Sequence, residues 1–260
     1  MPIVVCLLLS LSSTASAPES PSPLGREPSN PALARFGNAV VFYVSGDGHE
    51  FAEITAGSPE PQRERWDEFV KAHESPYQPG VFGRSLVSGA YSLSYLSGPE
   101  ARLAGTGAVV LWLRGETLQH RGEYYWPIRL HVADSHQLMF GRAGDPRNKE
   151  QLYAYLEHGP HHTSAEMGSM ADWRPGDWHL VVVNWDRHGV ELSLDGQPPT
   201  RASLREPLPA VDAKEFRVVV NSATDETILL DELLILNVPL RPADITWLWC
   251  DGRRDTSPPK

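Results

Sequence analysis

Apolar and polar residues alternate most clearly between Trp173 and Gly196, and this pattern predicts an antiparallel hairpin. Residues 178–185 carry large apolar side chains on both faces, which is typical of a strand that is covered on both sides. Asp186 to Gly189 predicts a short turn, and the next strand alternates apolar positions with Glu, Ser and Asp. Asp195-Gly196 favours a tight turn, because glycine adopts φ > 0 without steric cost. The stretch therefore predicts an all-β setting.

Further apolar runs of strand length follow one another along the chain, separated by turn residues. Two short helices are also predicted, one between Pro61 and Glu74, where apolar residues recur at helical spacing, and one that starts at Pro242. Many strands without a long helix predict two antiparallel sheets packed face to face, a β-sandwich jelly roll with one or two short peripheral helices. Outside the hairpin, the predicted strands are 38–44, 89–96, 108–114, 128–133, 138–142, 151–157, 216–220 and 227–236, and residues 51–57 are also expected to be strand-like.

Three sequence motifs carry a resemblance to a known family. They are W-R-P-G-D-W-H-L-V-V-V-N-W-D followed by L-D-G at 173–196, G-A-V-V-L-W-L at 107–113 and L-L-D-E-L-L-I-L-N-V-P-L at 229–240. Together they resemble the central hairpin, a buried strand and the closing strand of laminin-G-like, concanavalin A-like jelly-roll domains. The resemblance spans roughly Phe36 to Trp249 and implies the fold alone, since this scaffold hosts lectins, glycosidases, adhesion modules and spacers.

The N-terminal residues resemble a secretory signal. An apolar run at 3–11, too short to span a bilayer, precedes Ala15-Ser16-Ala17, which resembles a cleavage site. We therefore expect a signal peptide at 1–17, a Pro/Ser-rich disordered linker at 18–35, the jelly roll at 36–250, a flexible tail at 251–260 and a secreted or extracytoplasmic location. The alternative is a misassigned start. Cleavage would remove Cys6 and leave Cys250 as the one cysteine, without an intramolecular disulfide.

Charge narrows the choice of partners. The formal net charge is −10, which argues against nucleic acid and against an anionic membrane surface. An acidic chain is compatible with cation binding, and a solvated acidic surface accounts for the same charge. A glycan or an extracellular protein is the expected partner, and the mature chain contains no predicted membrane span.

Catalytic motifs are missing from the sequence. Retaining glycosidases need two carboxyl groups about 5 Å apart, and the E-x-D-x-x-E strand that supplies them in related glucanases does not occur. G-x-S-x-G and H-E-x-x-H are also missing. Asp231 and Glu232 are adjacent and are expected to point to opposite faces of a strand. A non-catalytic binding module is expected, with a glycoside-active enzyme or a purely structural interaction module as the alternatives.

Two acidic residues lie inside the apolar closing strand. At least one of Asp231 and Glu232 falls in a row of Leu and Ile side chains, where an ionised carboxylate needs a partner. One interpretation is a Ca²⁺ site completed by Asp47 from the turn after the first strand, because Ca²⁺ prefers oxygen ligands. The other interpretation is a structural carboxylate that accepts backbone hydrogen bonds or pairs with an arginine.

Aromatic residues form the second candidate site. Tyr124, Tyr125, Trp126, Tyr153 and Tyr155 are close enough in the predicted strands to form a platform on which sugar rings stack. Core packing is the alternative for each of them. The ligand would then bind at the concave sheet or at the loops along the edge of the sandwich.

Three histidines flank a Gly-Pro dipeptide in the sequence E-H-G-P-H-H. Their spacing and the missing cysteine partner do not match a zinc site. His158, His161 and His162 are therefore predicted to be exposed residues of a turn.

Overall fold

The computed structural model describes residues 30–73, 75–98, 103, 105–115, 125–133, 136–142, 151–169, 173–209, 215–220 and 228–251. These residues form two antiparallel sheets and three short helices, which confirms the predicted β-sandwich jelly roll. None of the described helices is long and apolar enough to cross a membrane.

The described part of the chain forms fifteen strands. In chain order they are β1 Val40–Val44, β2 Gln62–Glu64, β3 Tyr77–Pro79, β4 Arg84–Val87, β5 Ser92–Ser97, β6 Gly107–Gly115, β7 Tyr125–Ala133, β8 His136–Arg142, β9 Gln151–His158, β10 His161–Ser169, β11 Trp178–Asp186, β12 Gly189–Leu194, β13 Thr200–Ser203, β14 Phe216–Val220 and β15 Ile228–Leu236. The helices are α1 Pro31–Phe36, α2 Trp66–Ala72 and α3 Pro242–Cys250, and a 3₁₀ turn covers Gly37–Ala39.

Every strand pairs with its neighbours in the antiparallel direction. The eight-stranded sheet has the order β13-β12-β11-β6-β15-β4-β3, and β1 pairs with the second half of β15. The seven-stranded sheet has the order β10-β9-β8-β7-β14-β5-β2. Strands β7 and β14 are neighbours although about eighty residues separate them in the chain, so the outer face of this sheet combines distant parts of the sequence.

Two apolar clusters hold the layers together. The main core lies between the sheets and contains, among others, Phe42, Tyr95, Phe140 and Phe216, which are all fully buried. A second cluster lies on the outer side of the eight-stranded sheet, where α1 and α3 cover it. Strand β11 contributes side chains to both clusters, as its two apolar faces predict.

The hairpin of β11 and β12 has the predicted turns. Asp186 pairs with Gly189 at one end. At the other end Asp195 and Gly196 both have positive φ, 52° and 71°. The carboxylate of Asp195 accepts the backbone N–H of Leu180 at 2.9 Å and lies 2.7 Å from the ring of His179. These contacts explain why an aspartate occupies a left-handed position that otherwise favours glycine.

Local structure departs from the sequence analysis at several positions. The helix predicted between Pro61 and Glu74 is confirmed as α2, which begins at Trp66 because residues 62–64 pair with β5 as an edge strand. Among residues 51–57, expected to be strand-like, Ile54 forms a single β-bridge with Tyr43. The predicted disordered linker 18–35 overlaps α1, whose first turn is capped by the side chain of Asn30 and held by the buried Ala32. In the uncleaved chain Cys250 is disulfide-bonded; the expectation of a lone Cys250 refers to the chain after removal of residues 1–17 and stays a prediction.

Candidate functional site

The outer face of the seven-stranded sheet carries side chains that point away from the sandwich interior. On β9, Leu152, Ala154 and Leu156 are buried in the main core, while Tyr153 and Tyr155 are half-buried on the other face. The alternation of the strand therefore separates core residues from the candidate aromatic residues. Strands β7, β8 and β14 show the same alternation.

Four rings meet on this outer face, and we call them the aromatic cluster: Trp126, Tyr153, Tyr155 and His162. Trp126 meets Tyr153 edge to face, with ring centroids 5.1 Å apart at 88°, and it lies 6.5 Å from Tyr155. Tyr155 stacks on His162, with centroids 5.6 Å apart at 24°. These separations are those of favourable aromatic pairs. Three strands, β7, β9 and β10, thus contribute to one continuous aromatic surface.

A glycine makes room for the indole of this cluster. Gly141 on β8 lies opposite Tyr153, and a Cβ built on it would come within 2.8 Å of the Trp126 ring and 1.9 Å of the Tyr125 carbonyl oxygen. No side chain fits between the strand and the indole, so the ring of Trp126 packs directly against the backbone of β8. The position of this indole is therefore determined by the sheet and not by a loop.

The predicted aromatic set is only partly brought together. Trp126, Tyr153 and Tyr155 lie in the aromatic cluster, whereas Tyr124 lies outside the described residues. The expectation that Tyr125 belongs to the aromatic platform is wrong. Its side chain is only 4% exposed and packs in the main core, because it points to the inner face of β7.

The sequence interpretation did not include the fourth ring. His161 and His162 are exposed, as expected, but they belong to strand β10 and not to the turn, which consists of Gly159 and Pro160. In β10, His162 pairs with Glu157 of β9, and this register brings its ring next to Tyr155.

Basic side chains adjoin the aromatic cluster on the same face. Arg129 and His131 alternate with core residues of β7, and Arg217 on β14 pairs with His131. Met139 on β8 pairs with Arg129 of β7 on one side and with Tyr155 of β9 on the other, so these residues lie in one row across the sheet. Partial burial lowers the pKa of His131, and the nearby charges of Arg129 and Arg217 lower it further. We call these three residues the basic patch.

The carboxylate pair Asp231–Glu232 lies on a different part of the molecule. The pairing of β15 with β6 shifts register between Asp231 and Leu234, and Glu232 has φ of 55°. The bulge puts one extra residue into the strand, so both carboxylates contact residues of the second cluster. The expectation that the two side chains point to opposite faces is therefore wrong.

Both carboxylates are fully buried and accept hydrogen bonds from protein groups. Asp231 accepts the backbone N–H groups of Val81 and Phe82 at 2.6 and 3.2 Å. Glu232 accepts the hydroxyl of Tyr43 at 2.8 Å and the side-chain amide of Asn30. One oxygen of each carboxylate, Oδ1 and Oε1, has no hydrogen-bond partner within the described residues.

Burial makes the charged form of this pair costly. It raises the pKa of Glu232 to about 8, although the hydrogen bonds from Tyr43 and Asn30 oppose this rise. Burial also raises the pKa of Asp231 well above its usual range, and the neighbouring charge of Glu232 adds to that rise. The pair therefore holds protons that the unfolded chain releases at neutral pH.

Asp47 approaches this pair but makes its own contact. Its carboxylate accepts the backbone N–H of Arg84 at 2.7 Å, and its charge raises the pKa values of Asp231 and Glu232. Across the described ranges, no group of three or more His, Cys, Asp or Glu side chains could hold a metal ion. The protein donors around all three carboxylates agree with the structural interpretation, and the Ca²⁺ site stays a prediction.

Comparison with known proteins supports the fold. No protein-family model and no curated protein sequence matches the chain. Among solved structures, a botulinum neurotoxin type C structure concerned with cell entry through two ganglioside molecules superimposes with a TM-score of 0.60 at 13% identity. The match covers 85% of this chain and 53% of the neurotoxin chain, so this chain spans about half the length of that protein.

Two further structures show the same likeness. Domain 4 of AbnA, an extracellular GH43 arabinanase from Geobacillus stearothermophilus, in complex with arabinotriose, has a TM-score of 0.54 at 17% identity over 80% of this chain and 97% of that domain. The binding domain of botulinum neurotoxin DC, in complex with rat synaptotagmin II, has a TM-score of 0.58 at 10% identity over 83% and 52%. At such identities the likeness establishes the β-sandwich fold.

Proposed function

We propose that this chain is a secreted, non-catalytic binding module that recognises a glycan at the aromatic cluster on the outer face of the seven-stranded sheet. The observation that carries the proposal is the half-buried group of Trp126, Tyr153 and Tyr155, in which the centroids of both tyrosine rings lie within 6.5 Å of the Trp126 ring. The apolar face of a pyranose ring stacks on such a surface, and its hydroxyl groups bond to polar side chains at the rim.

The polar surroundings of the cluster suit hydroxyl groups. Gln151 and Glu166 are joined by a 2.8 Å hydrogen bond beside Tyr153, with which Glu166 pairs across β9 and β10. An amide and a carboxylate at the edge of an aromatic surface provide donors and acceptors in the plane of a stacked ring. The site therefore combines an apolar platform with a polar rim.

Catalysis is not part of the proposal. The carboxylate pair Asp231–Glu232 is 0% exposed and lies beneath the helices on the other sheet, so no glycan reaches it without unfolding. The glycoside-active alternative would need an accessible acid pair about 5 Å apart near the cluster.

The structural relatives support a binding role through what their structures contain. The arabinanase domain was solved with arabinotriose and a neurotoxin binding domain with a protein receptor. A surface protein bound at the loops of the sandwich edge is therefore the second candidate partner. The aromatic cluster favours the glycan, because rings fixed on strands suit a small, rigid ligand.

Export and family membership belong to the same proposal. The laminin-G-like motifs at 173–196 and 229–240 and the signal-like residues 1–17 support an exported domain of that family. Expression of the full chain with its N-terminus intact tests export: the secreted product should begin at Pro18. Retention of an intact Met1 inside the cell would contradict this part of the proposal.

An oligosaccharide array followed by titration calorimetry tests the binding site. The mature chain should bind at least one class of oligosaccharide, and Tyr155→Ala and Trp126→Ala should each weaken binding about tenfold or more, since each removes a stacking surface. Phe51→Ala is the matched control, because Phe51 is 38% exposed and lies outside the cluster. Its affinity should equal that of the wild type.

Thermal unfolding separates lost binding from lost structure. Each variant should keep a sharp transition, and Tyr155→Phe should retain most of the affinity because the ring remains. If the wild type binds an array glycan and both Tyr155→Ala and Trp126→Ala bind it equally well, the glycan binds elsewhere and the proposed site is contradicted. No binding to any array glycan would contradict the glycan proposal and favour the protein partner.

A further inference from the structure

The basic patch lies close enough to the aromatic cluster for one bound oligosaccharide to contact both. Tyr155, Met139 and Arg129 occupy one row across three adjacent strands, so Tyr155 and Arg129 are two strand spacings apart, roughly 10 Å between backbones. Arg217 on the next strand is a diagonal neighbour of Arg129, with about 7–8 Å between their backbones. A bound oligosaccharide whose first ring stacks on Tyr155 would place a following ring over these arginines.

The patch is positively charged in an acidic chain. The sequence has 33 acidic and 23 basic residues, and several arginines pair with carboxylates, among them Arg63, Arg201 and Arg241. For Arg129 and Arg217, by contrast, no ion pair is formed with any residue in the ranges that the structure describes. Arg217 is exposed and Arg129 is half-buried, so both side chains are accessible from the outer face. A charged donor without a protein partner favours an external acceptor.

We infer that the glycan recognised at this site is acidic, and that Arg129 and Arg217 bind its carboxylate groups. This inference rests on the proposed glycan function and names the class of the ligand. A guanidinium group presents a planar set of donors that matches a carboxylate in two parallel hydrogen bonds. A sulfate group offers the same acceptors, so the shared chemistry is an oxyanion on a sugar ring.

The test uses the mature chain and matched oligosaccharides. The probes are tetramers of galacturonate, glucuronate and mannuronate, the neutral tetramers obtained by reducing their carboxyl groups, and sulfated forms of those neutral tetramers. At least one uronate should bind about tenfold or more tightly than its reduced form, and rising ionic strength should weaken only the acidic ligand. A sulfated tetramer that binds as tightly as the uronate would support recognition of an oxyanion and show that a sulfate group can supply it as well as a carboxylate.

Variants assign the preference to the patch. Arg129→Gln, Arg217→Gln and the double variant should lose the preference for the acidic tetramer while retaining affinity for the neutral one. Arg174→Gln, which changes an exposed arginine of the turn before β11, should keep the full preference. Tyr155→Ala should weaken acidic and neutral ligands alike, because stacking does not depend on charge.

The outcomes separate the two proposals. Equal affinity for acidic and reduced tetramers would overturn the acidic ligand and leave the glycan site standing. No binding by any tetramer or array glycan would overturn both. A preference that persists in the double variant would overturn the role of the two arginines, and equally tight binding of oligo-thymidine would overturn a glycan-specific site.

Discussion

Replacing Glu232 by glutamine tests the protonation of the buried carboxylate pair. The pKa of Glu232 rises from 4.5 to about 8 in the folded chain, so the folded chain keeps a proton that the unfolded chain loses above about pH 4.5. The free energy of unfolding of the wild type therefore falls as the pH rises through this window. At 1.36 kcal/mol per pKa unit, the full shift corresponds to roughly 5 kcal/mol.

Glutamine has the shape of the protonated acid and does not titrate. Its amide oxygen can accept the hydrogen bonds of Tyr43 and Asn30, so we expect the free energy of unfolding of Glu232→Gln to lose this dependence on pH. Relative to the wild type, the variant should gain up to about 5 kcal/mol between pH 5 and pH 9. Urea unfolding at several pH values, with excess chelator present, measures the difference.

Two comparisons make the result decisive. Glu68→Gln changes an exposed side chain (76% exposed) and should follow the wild type at every pH. A constant difference between Glu232→Gln and the wild type from pH 5 to pH 9 would refute the reasoning, because the pair would then be ionised in the folded chain. If added Ca²⁺ stabilises the wild type and does not stabilise Glu232→Gln, the calcium prediction is supported instead.

Two further predictions concern stability. Asp195→Ala should lower the free energy of unfolding by roughly 1–3 kcal/mol, because the N–H of Leu180 and the ring of His179 lose their acceptor; Asp195→Asn should cost less, and equal thermal midpoints for both would contradict this. Burial and the nearby His158 lower the pKa of His136, so the unfolded chain takes up the proton first and stability should fall below about pH 6.5. His136→Leu should weaken that acid sensitivity in urea unfolding; an unchanged pH profile would assign it to other groups.

The fold was predictable because its signals are local. The alternation in residues 178–196 and the Asp195-Gly196 turn depend only on near neighbours, and the structure has both. The orientation of Tyr153 and Tyr155 likewise follows from the period of one strand. Tyr125 and Trp126 are adjacent in β7 and therefore point to opposite faces, so both could not join one aromatic platform. Which of the two points outward depends on strand pairing, whose register shifts next to Tyr125.

The rest of the candidate site depends on which strands are neighbours. Arg129 and Arg217 were not singled out in the sequence, although each alternates with core residues in its own strand. Their proximity comes from the pairing of β7 with β14, which joins segments far apart in the chain. The bulge at Asp231 and Glu232 was also hidden, since an extra residue in an apolar strand leaves the hydrophobicity pattern intact.

The most direct measurement maps the bound ligand onto the sheet. A titration of the isotope-labelled protein with its best-binding oligosaccharide, followed through amide chemical shifts, reports contact residue by residue. We expect the largest changes at Trp126, Tyr153, Tyr155 and His162, with Arg129 and Arg217 added for an acidic ligand. Changes confined to α1, α3 and the outer side of the eight-stranded sheet would contradict the proposed site, because the glycan would then bind on the opposite side of the sandwich.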